Sequence, residues 1–214
     1  MQNNTAILQP DKFYHIYNRA IGNEKLFINN NNYTYFLKRY AHYIQPVAKT
    51  FSYCLLPNHF HFLIQVRSDD ELKLCFRQKF NTLSGFQTPD RVNKSNQQLL
   101  ISNLLSKQFS HLFNSYSQAF NKQNGRKGNL FNRPFKKKEI SNNKYLYKIV
   151  HYIHYNPVNA GLCNHPSNWD YSSYNAIVFN KHTLIAKDEV IDWFSDLENF
   201  IYCHTLFPEY TGID

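Results

Sequence analysis

The sequence predicts an α+β protein built on one antiparallel sheet, with helices on both faces. Residues 57–66 alternate with period two, a pattern typical of a half-buried strand. The tight Pro57-Asn58 connection joins this stretch to a preceding strand pattern, so a hairpin is expected. Apolar residues also recur at helical spacing in three longer stretches, at 33–44, 102–121 and 142–156.

The first half of the chain predicts a strand, a helix and then the hairpin. These elements cover residues 13–20, 33–44, 49–56 and 57–66. The asparagines at 29–32 are candidate N-cap residues for the helix, and Pro46 stops it. In the strand at 49–56, alternation places Phe51, Tyr53 and Leu55 on one side.

The second half predicts a long helix, a strand and a third helix that starts after a Ser141 N-cap and ends or kinks at Pro157. The strand spans 131–140, and an amphipathic helix is expected near 188–203. The order β-α-β-β-α-β with an added helix is the ferredoxin-like pattern. We therefore expect the helices at 33–44 and 102–121 on one sheet face and the added helix on the other.

The same pattern predicts a main domain over residues 1–175 and a helical extension over 176–214. Within the domain, residues 68–103 are polar and rich in Gln and Asn, and they match no expected element beyond a short helix near 72–80. This segment is predicted to be a variable insertion.

Composition indicates a basic protein whose cysteines are reduced thiols. A net charge of +9 and a pI near 9.3 favour a polyanionic partner, of which nucleic acid is the commonest. The four cysteines form no Cys-x-x-Cys pair, which argues against a structural zinc site and a disulfide framework. No apolar run approaches the ~20 residues of a membrane span, and no secretion signal is recognisable. We expect a cytoplasmic protein that does not enter membranes.

His59 and His61 lie two residues apart on the strand at 57–66, so their side chains project from the same face. Two neutral imidazoles side by side are suitable ligands for a divalent cation. The alternative is a pair of histidines on the solvated face of a half-buried strand.

The helix at 142–156 carries a second group of polar residues. Leu146, Ile149, Val150 and Ile153 form a stripe that should face the sheet, while Tyr152 and Asn156 lie on its flank, one turn apart. If this helix covers the histidine face, the Asn156 amide can complete a metal site and the Tyr152 phenol can act as nucleophile. Alternatively, Tyr152 is a core residue with a wet hydroxyl, and Asn156-Pro157 begins a helical turn.

Four separated motifs resemble the single-tyrosine HUH transposases, and most closely their REP-associated tyrosine transposase branch. The motifs are YHIYNR at 14–19, LPNHFH at 56–61, GNLFNRPF at 128–135 and YIHYNPVNAGL at 152–162, followed by WDYSSY at 169–174. The resemblance implies that His59 and His61 hold Mg²⁺ or Mn²⁺ and that Tyr152 attacks a DNA phosphate. Asn156 occupies the place where a Gln or Asn side chain completes the metal site in that family.

The implied activity is metal-dependent nicking and strand transfer of single-stranded or hairpin DNA through a covalent 5′-phosphotyrosine, by a monomer or homodimer. Two alternatives are a nuclease of the same fold that uses water, and a catalytically silent DNA-binding protein. Basic segments are expected to follow the DNA backbone, although the lysine run can also be a solvated strand end. The predicted DNA-binding residues are Asn18, Arg19, Arg126, Lys127, Arg133, Lys136, Lys137 and Lys138.

Overall fold

A computed structural model describes residues 7–80, 94–142, 145–181 and 183–208 of the chain. The strands are β1 (Phe13–Arg19), β2 (Ala48–Leu56), β3 (His59–Val66) and β4 (Lys136–Ile140). The longer helices are α1 (Asn30–Ile44), α2 (Asp69–Phe80), α3 (Lys94–Gln123) and α4 (Leu146–Asn159). Three short helices follow, namely α5 (Tyr174–Val178), α6 (Lys187–Trp193) and α7 (Leu197–Thr205).

The four strands form one antiparallel sheet in the order β2-β3-β1-β4. The α+β class and the antiparallel sheet predicted from the sequence are therefore confirmed. The hairpin between β2 and β3 is also present, and β1 inserts between β3 and β4. This order places the motif at 14–19 directly beside the two histidines of β3, because Tyr17 pairs with His61 and Arg19 with His59.

The two sheet faces carry separate apolar cores. Phe60, Phe62 and Ile64 point to a first core, where they pack with residues of α1 and α3. Leu63 points to a second core, which contains the Leu146, Ile149, Val150 and Ile153 stripe of α4 and apolar residues of α5, α6 and α7. The predicted faces of β3 and the predicted stripe of α4 therefore both agree with the structure.

Helix α1 begins at the asparagines that the sequence offered as N-cap candidates. Asn29 is the N-cap, since its side chain accepts from the Asn32 amide at 3.2 Å, and the Asn32 side chain accepts from the Asn29 amide at 3.3 Å. This reciprocal capping box satisfies donors that a helix start leaves unpaired.

The expectation that Phe51, Tyr53 and Leu55 share one side is wrong. Thr50 pairs with Ile64 and Ser52 pairs with Leu63, so Phe51 is an extra residue in a β-bulge. The bulge shifts the alternation, which places Phe51 in the second core and leaves Leu55 in the first.

Two predicted boundaries of the later helices are also wrong. Helix α4 begins at Leu146 with Tyr145 as N-cap, not after Ser141, and residues 143–144 lie outside the described residues. The predicted helix at 188–203 is two helices, because Ser195 has a left-handed φ of 75°. Asp196 then caps α7 by accepting from the Asn199 amide at 2.7 Å.

The predicted strand at 131–140 is shorter than expected, since β4 begins at Lys136 and Phe131 forms only an isolated bridge with Ala20. Pro134 lies between them and has no N–H to donate to a ladder. The predicted insertion at 68–103 contains all of α2 and the start of α3, and its residues 81–93 lie outside the described residues.

None of the described helices is both long enough and apolar enough to cross a membrane.

Candidate functional site

The two histidines of β3 lie on the sheet face that α4 covers, and the ring of Tyr152 on α4 contacts His61. The ring centroids of His59 and His61 are 5.2 Å apart, and the Tyr152 ring centroid is 5.7 Å from that of His61 in an edge-on arrangement. The second core holds α4 at this place through Leu146, Ile149 and Val150. A strand of period two and a helix of period 3.6 thus bring an imidazole pair and a phenol together.

Each of the two imidazoles is oriented through its Nδ1 atom. His61 Nδ1 lies 2.9 Å from Nε2 of His15, and His59 Nδ1 lies 2.7 Å from the amide oxygen of Asn58. Within the described parts of the chain, the Nε2 atoms of His59 and His61 have no hydrogen-bond partner. The Nε2 atoms are therefore the ones available for a ligand.

Burial keeps these rings neutral. It lowers the pKa of His59 to about 4 and that of His15 to about 3, helped by the charges of Arg19 and Lys138 respectively. Burial, then the neighbouring imidazoles of His15 and His59, also holds the pKa of His61 well below its usual range. Neutral imidazoles retain the lone pair that a metal requires.

Asn156 lies one turn after Tyr152 and is 8% exposed. Its Nδ2 donates to the Tyr152 carbonyl at 2.8 Å, which leaves the amide oxygen as the unused end of the side chain. Two imidazole nitrogens and one amide oxygen suit Mg²⁺ or Mn²⁺, provided that water or a substrate phosphate supplies the other ligands. Among the described residues, no group of three or more His, Cys, Asp or Glu side chains could hold a metal.

These side chains line a cleft of about 480 Å³. Its walls include Tyr17, Asn18, Arg19, Asn58, His59, His61, Asn132, Lys136, Tyr152 and Asn156. A second groove of about 650 Å³ runs between α3 and residues 128–135, and it shares Asn18, Asn132 and Pro134 with the cleft. The predicted metal ligands and the predicted nucleophile therefore surround one cavity, together with three of the predicted DNA-binding residues.

The run of three lysines is divided between the two sheet faces. Lys136 pairs with Tyr17 and Lys138 with His15, so both side chains project from the histidine face. Lys137 pairs with Ile16 on the other face, where its ammonium lies 5.4 Å from the Phe135 ring centroid and burial lowers its pKa.

The predicted basic turn is held together by Arg126. Its guanidinium lies 2.5 Å from Glu24 Oε2, and it donates to Asn121 Oδ1 at 3.0 Å and to the Asn129 carbonyl at 2.6 Å. Lys127 is exposed on the same turn, and Arg133 donates to Asn114 Oδ1 at 3.3 Å beside the larger groove. The DNA contacts of these residues remain predictions.

Sequence reasoning missed His15 and Tyr17 as site residues. Both alternate along β1, and the β1–β3 register brings them beside His61. Tyr17 stacks on His61 with centroids 5.8 Å apart, and the His15 ring is 5.1 Å from His61 and 5.8 Å from Tyr152. The His-Ile-Tyr alternation of the first motif was the available signal, but only strand pairing shows which strand it adjoins.

A second histidine group lies on the other flank of α4. We call His15, His59 and His61 the cleft histidines, and His151, His154 and His204 the tail histidines. His154 is fully buried, with Nδ1 2.9 Å from His204 Nε2 and Nε2 2.7 Å from the Ser173 hydroxyl. His204 Nδ1 lies 2.7 Å from the Phe200 carbonyl within α7, and the contact between His154 and His204 joins α4 to α7.

Comparisons with known proteins in sequence and in structure found the same kind of protein. In sequence, the chain is 27% identical over 127 residues to a Haemophilus influenzae protein named "Putative REP-associated tyrosine transposase". In structure, it matches a REP-associated tyrosine transposase bound to a REP hairpin, with a TM-score of 0.56 at 14% identity over 86% of this chain and 90% of that one. In both comparisons, the protein that the chain resembles is a REP-associated tyrosine transposase.

The resemblance to REP-associated tyrosine transposases predicted from the sequence motifs is thus confirmed. The aligned segment spans 59% of this chain and 59% of the length of the Haemophilus protein. The structural likeness concerns the fold, and the bound REP hairpin belongs to that neighbour. No protein-family model matches the chain.

Proposed function

We propose that this chain is a metal-dependent transposase that nicks single-stranded DNA and transfers the strand through a covalent 5′-phosphotyrosine. The observation that carries the proposal is the position of Tyr152, whose ring lies 5.7 Å from the ring of His61 at the wall of the cleft. The relationship to REP-associated tyrosine transposases supports the class of activity, and the REP hairpin of the structural neighbour supports hairpin DNA as substrate.

In the proposed reaction, the Tyr152 hydroxyl oxygen attacks the phosphorus of a phosphodiester and loses its proton to solvent. A bond forms between this oxygen and phosphorus, the bond to the 3′-oxygen breaks, and the released 3′-oxygen takes up a proton. The phosphotyrosine ester retains the bond energy, so a second 3′-hydroxyl can attack it and release Tyr152.

His59, His61 and Asn156 would hold the divalent cation. When bound, Mg²⁺ or Mn²⁺ stabilises the negative charge that develops on the phosphate oxygens. The orienting contacts of His15, Asn58 and the Tyr152 carbonyl leave one donor atom of each ligand for the cation. Water and the substrate phosphate would supply the remaining ligands of the cation.

Arg19 and Lys136 supply positive charge to the cleft. Cations beside a cavity attract the phosphate backbone independently of sequence. The adjoining groove between α3 and residues 128–135 is lined by the half-buried ring of Phe135, and an accessible aromatic ring suits stacking of an unpaired base.

The decisive experiment compares three Tyr→Phe variants that each remove one oxygen and keep the ring. Tyr152→Phe should abolish both Mn²⁺-dependent cleavage of a single-stranded hairpin DNA and the covalent protein–DNA adduct on a denaturing gel. Tyr155→Phe is the matched control on the same helix, because Tyr155 packs against Phe207 away from the cleft. Tyr17→Phe tests the other phenol that lines the cleft.

Each alternative function gives a different result in this assay. Cleavage at near wild-type rate by Tyr152→Phe, without an adduct, identifies a nuclease that uses water. An adduct lost only in Tyr17→Phe assigns the nucleophile to β1. If the wild type and all three variants bind the hairpin but none cleaves it in Mg²⁺ or Mn²⁺, the chain is a catalytically silent DNA-binding protein.

A further inference from the structure

The contact between His15 and His61 has an unusual feature at its buried end. His15 is 3% exposed, and its Nε2 atom lies 2.9 Å from His61 Nδ1. Its other ring nitrogen, Nδ1, is buried without a hydrogen-bond partner in the described structure. Buried polar atoms are paired in the great majority of cases, so an unpaired one calls for an explanation.

A count of protons explains which arrangement a metal requires. Two neutral imidazoles carry one proton each, and a single proton can lie between His15 Nε2 and His61 Nδ1. If His15 donates, the proton of His61 must be on Nε2, which blocks that atom as a ligand. If His61 donates, its Nε2 lone pair faces the cleft and the proton of His15 moves to the unpartnered Nδ1.

We propose that His15 is the positioning residue of His61, which accepts the Nδ1 proton of His61 and thereby presents the Nε2 lone pair to the cation. The inference rests on the metal site of the proposed function. His15 touches neither the substrate nor the cation in this role. In this arrangement the unpartnered Nδ1 atom holds a buried proton without an acceptor, which costs free energy that metal binding would offset.

Within the described residues, the contact with His61 is the only hydrogen bond that the ring nitrogens of His15 make. Its neighbours Tyr17, His61 and Tyr152 pack on it through ring contacts, which a phenyl ring would also make. Ligand histidines elsewhere depend on such outer partners, and removal of the partner lowers metal affinity about 10- to 100-fold. Such a partner is most often a carboxylate, a backbone carbonyl or water. A neutral imidazole carries no negative charge, and it is therefore a weaker acceptor than a carboxylate.

The test uses His15→Phe, which keeps the ring contacts and removes the acceptor, and His15→Gln, whose amide oxygen can accept again. Mn²⁺ affinity, measured on DNA-free protein by the electron paramagnetic resonance of free Mn²⁺, should fall about 10- to 100-fold in His15→Phe. It should largely return in His15→Gln. In Mg²⁺-saturated wild-type protein, ¹⁵N spectra of the histidine rings should show the His61 proton on Nδ1.

His204→Gln is the matched control, because it breaks a histidine pair of the same 2.9 Å length on the other flank of α4. It should bind Mn²⁺ as tightly as the wild type, and circular dichroism should show that each variant is folded. Wild-type Mn²⁺ affinity in His15→Phe, or a His61 proton on Nε2 in the Mg²⁺ form, would overturn the proposal.

Failure of this inference and failure of the proposed function give separate results. If His59→Ala loses Mn²⁺ and His15→Phe does not, the metal site stands and only the role of His15 is wrong. If the wild type binds no Mn²⁺, both the metal site and the role of His15 are wrong. If Tyr152→Phe still cleaves while both histidine effects hold, only the nucleophile is wrong.

Discussion

The cleft histidines and the tail histidines resemble each other in chemistry and differ in what surrounds them. Both groups contain three imidazoles, both contain a histidine pair with nitrogens 2.9 Å apart, and burial lowers the pKa values in both. In the tail group, both ring nitrogens of His154 and of His204 meet protein atoms. In the cleft group, one nitrogen of His59 and one of His61 remain available beside a cavity.

The difference shows that a lowered histidine pKa does not by itself mark a functional site. The pKa shift follows from burial, which both groups share. The distinguishing feature is a ring nitrogen that has no hydrogen-bond partner among the described residues and lies beside a cavity lined by a phenol, an amide and cations. The following predictions test this contrast, from the largest expected effect to the smallest.

Loss of a cleft histidine should remove function and spare the fold. His59→Ala should lower Mn²⁺-dependent cleavage by about 10²- to 10³-fold, since it removes electrostatic stabilisation of the transition state. The free energy of unfolding should change little, because His59 is only half-buried. Single-turnover cleavage and urea denaturation measure the two quantities. Wild-type cleavage by this variant would place the metal elsewhere.

Loss of a tail histidine should have the opposite outcome. His154→Ala removes a fully buried ring and leaves His204 Nε2 and the Ser173 hydroxyl without their partner. The cost should be about 2–4 kcal/mol of unfolding free energy. Urea denaturation measures it, and the residual folded protein at low temperature should still bind Mn²⁺. Equal stability of variant and wild type would contradict a structural role for this group.

Acid should destabilise the fold through the tail group. The unfolded chain takes up protons as pH falls through about 6.5, whereas the folded rings resist, because burial lowers the pKa of His151 to about 4 and that of His204 to about 3. The stabilisation is complete above about pH 6.5 and is lost as pH falls below it, by about 1.4 kcal/mol per unit and per buried ring. His204→Gln removes one of these rings, so the slope of unfolding free energy against pH should decrease by about 1.4 kcal/mol per pH unit.

The cleft histidines contribute to the same acid transition, so wild-type protein alone cannot separate the groups. His59→Ala provides the comparison, since it removes one cleft imidazole whose pKa burial lowers to about 4. A pH dependence that is unchanged in His204→Gln would show that this ring titrates normally in the folded chain.

The smallest effect concerns the lysines of β4. Lys136→Gln should weaken binding of single-stranded DNA severalfold for all sequences and reduce the salt slope by about 1, as expected for the loss of one phosphate contact. Lys137→Gln should change the DNA affinity and the salt slope less, because Lys137 projects from the opposite sheet face. Fluorescence anisotropy at several salt concentrations measures both. Equal salt slopes in the two variants would mean that backbone contacts are not confined to the histidine face.

Local periodicity determined much of this protein. The alternation of β3 assigned His59 and His61 to one face and Phe60 and Phe62 to the other, and the stripe of α4 left Tyr152 and Asn156 on its flank. The four motifs resembling REP-associated tyrosine transposases then connected these separate stretches. Such features depend on residues within a few positions of each other, so a sequence displays them directly.

Tertiary structure alone decided the partners. The His15–His61 contact joins residues 46 apart, and the His154–His204 contact joins residues 50 apart. The bulge at Phe51 and the division of Lys136 and Lys137 between faces both follow from strand register. Register and helix placement are set by burying whole apolar faces at once. For that reason, the sequence showed that His59 and His61 share a face, and only the fold showed that His15 contacts His61.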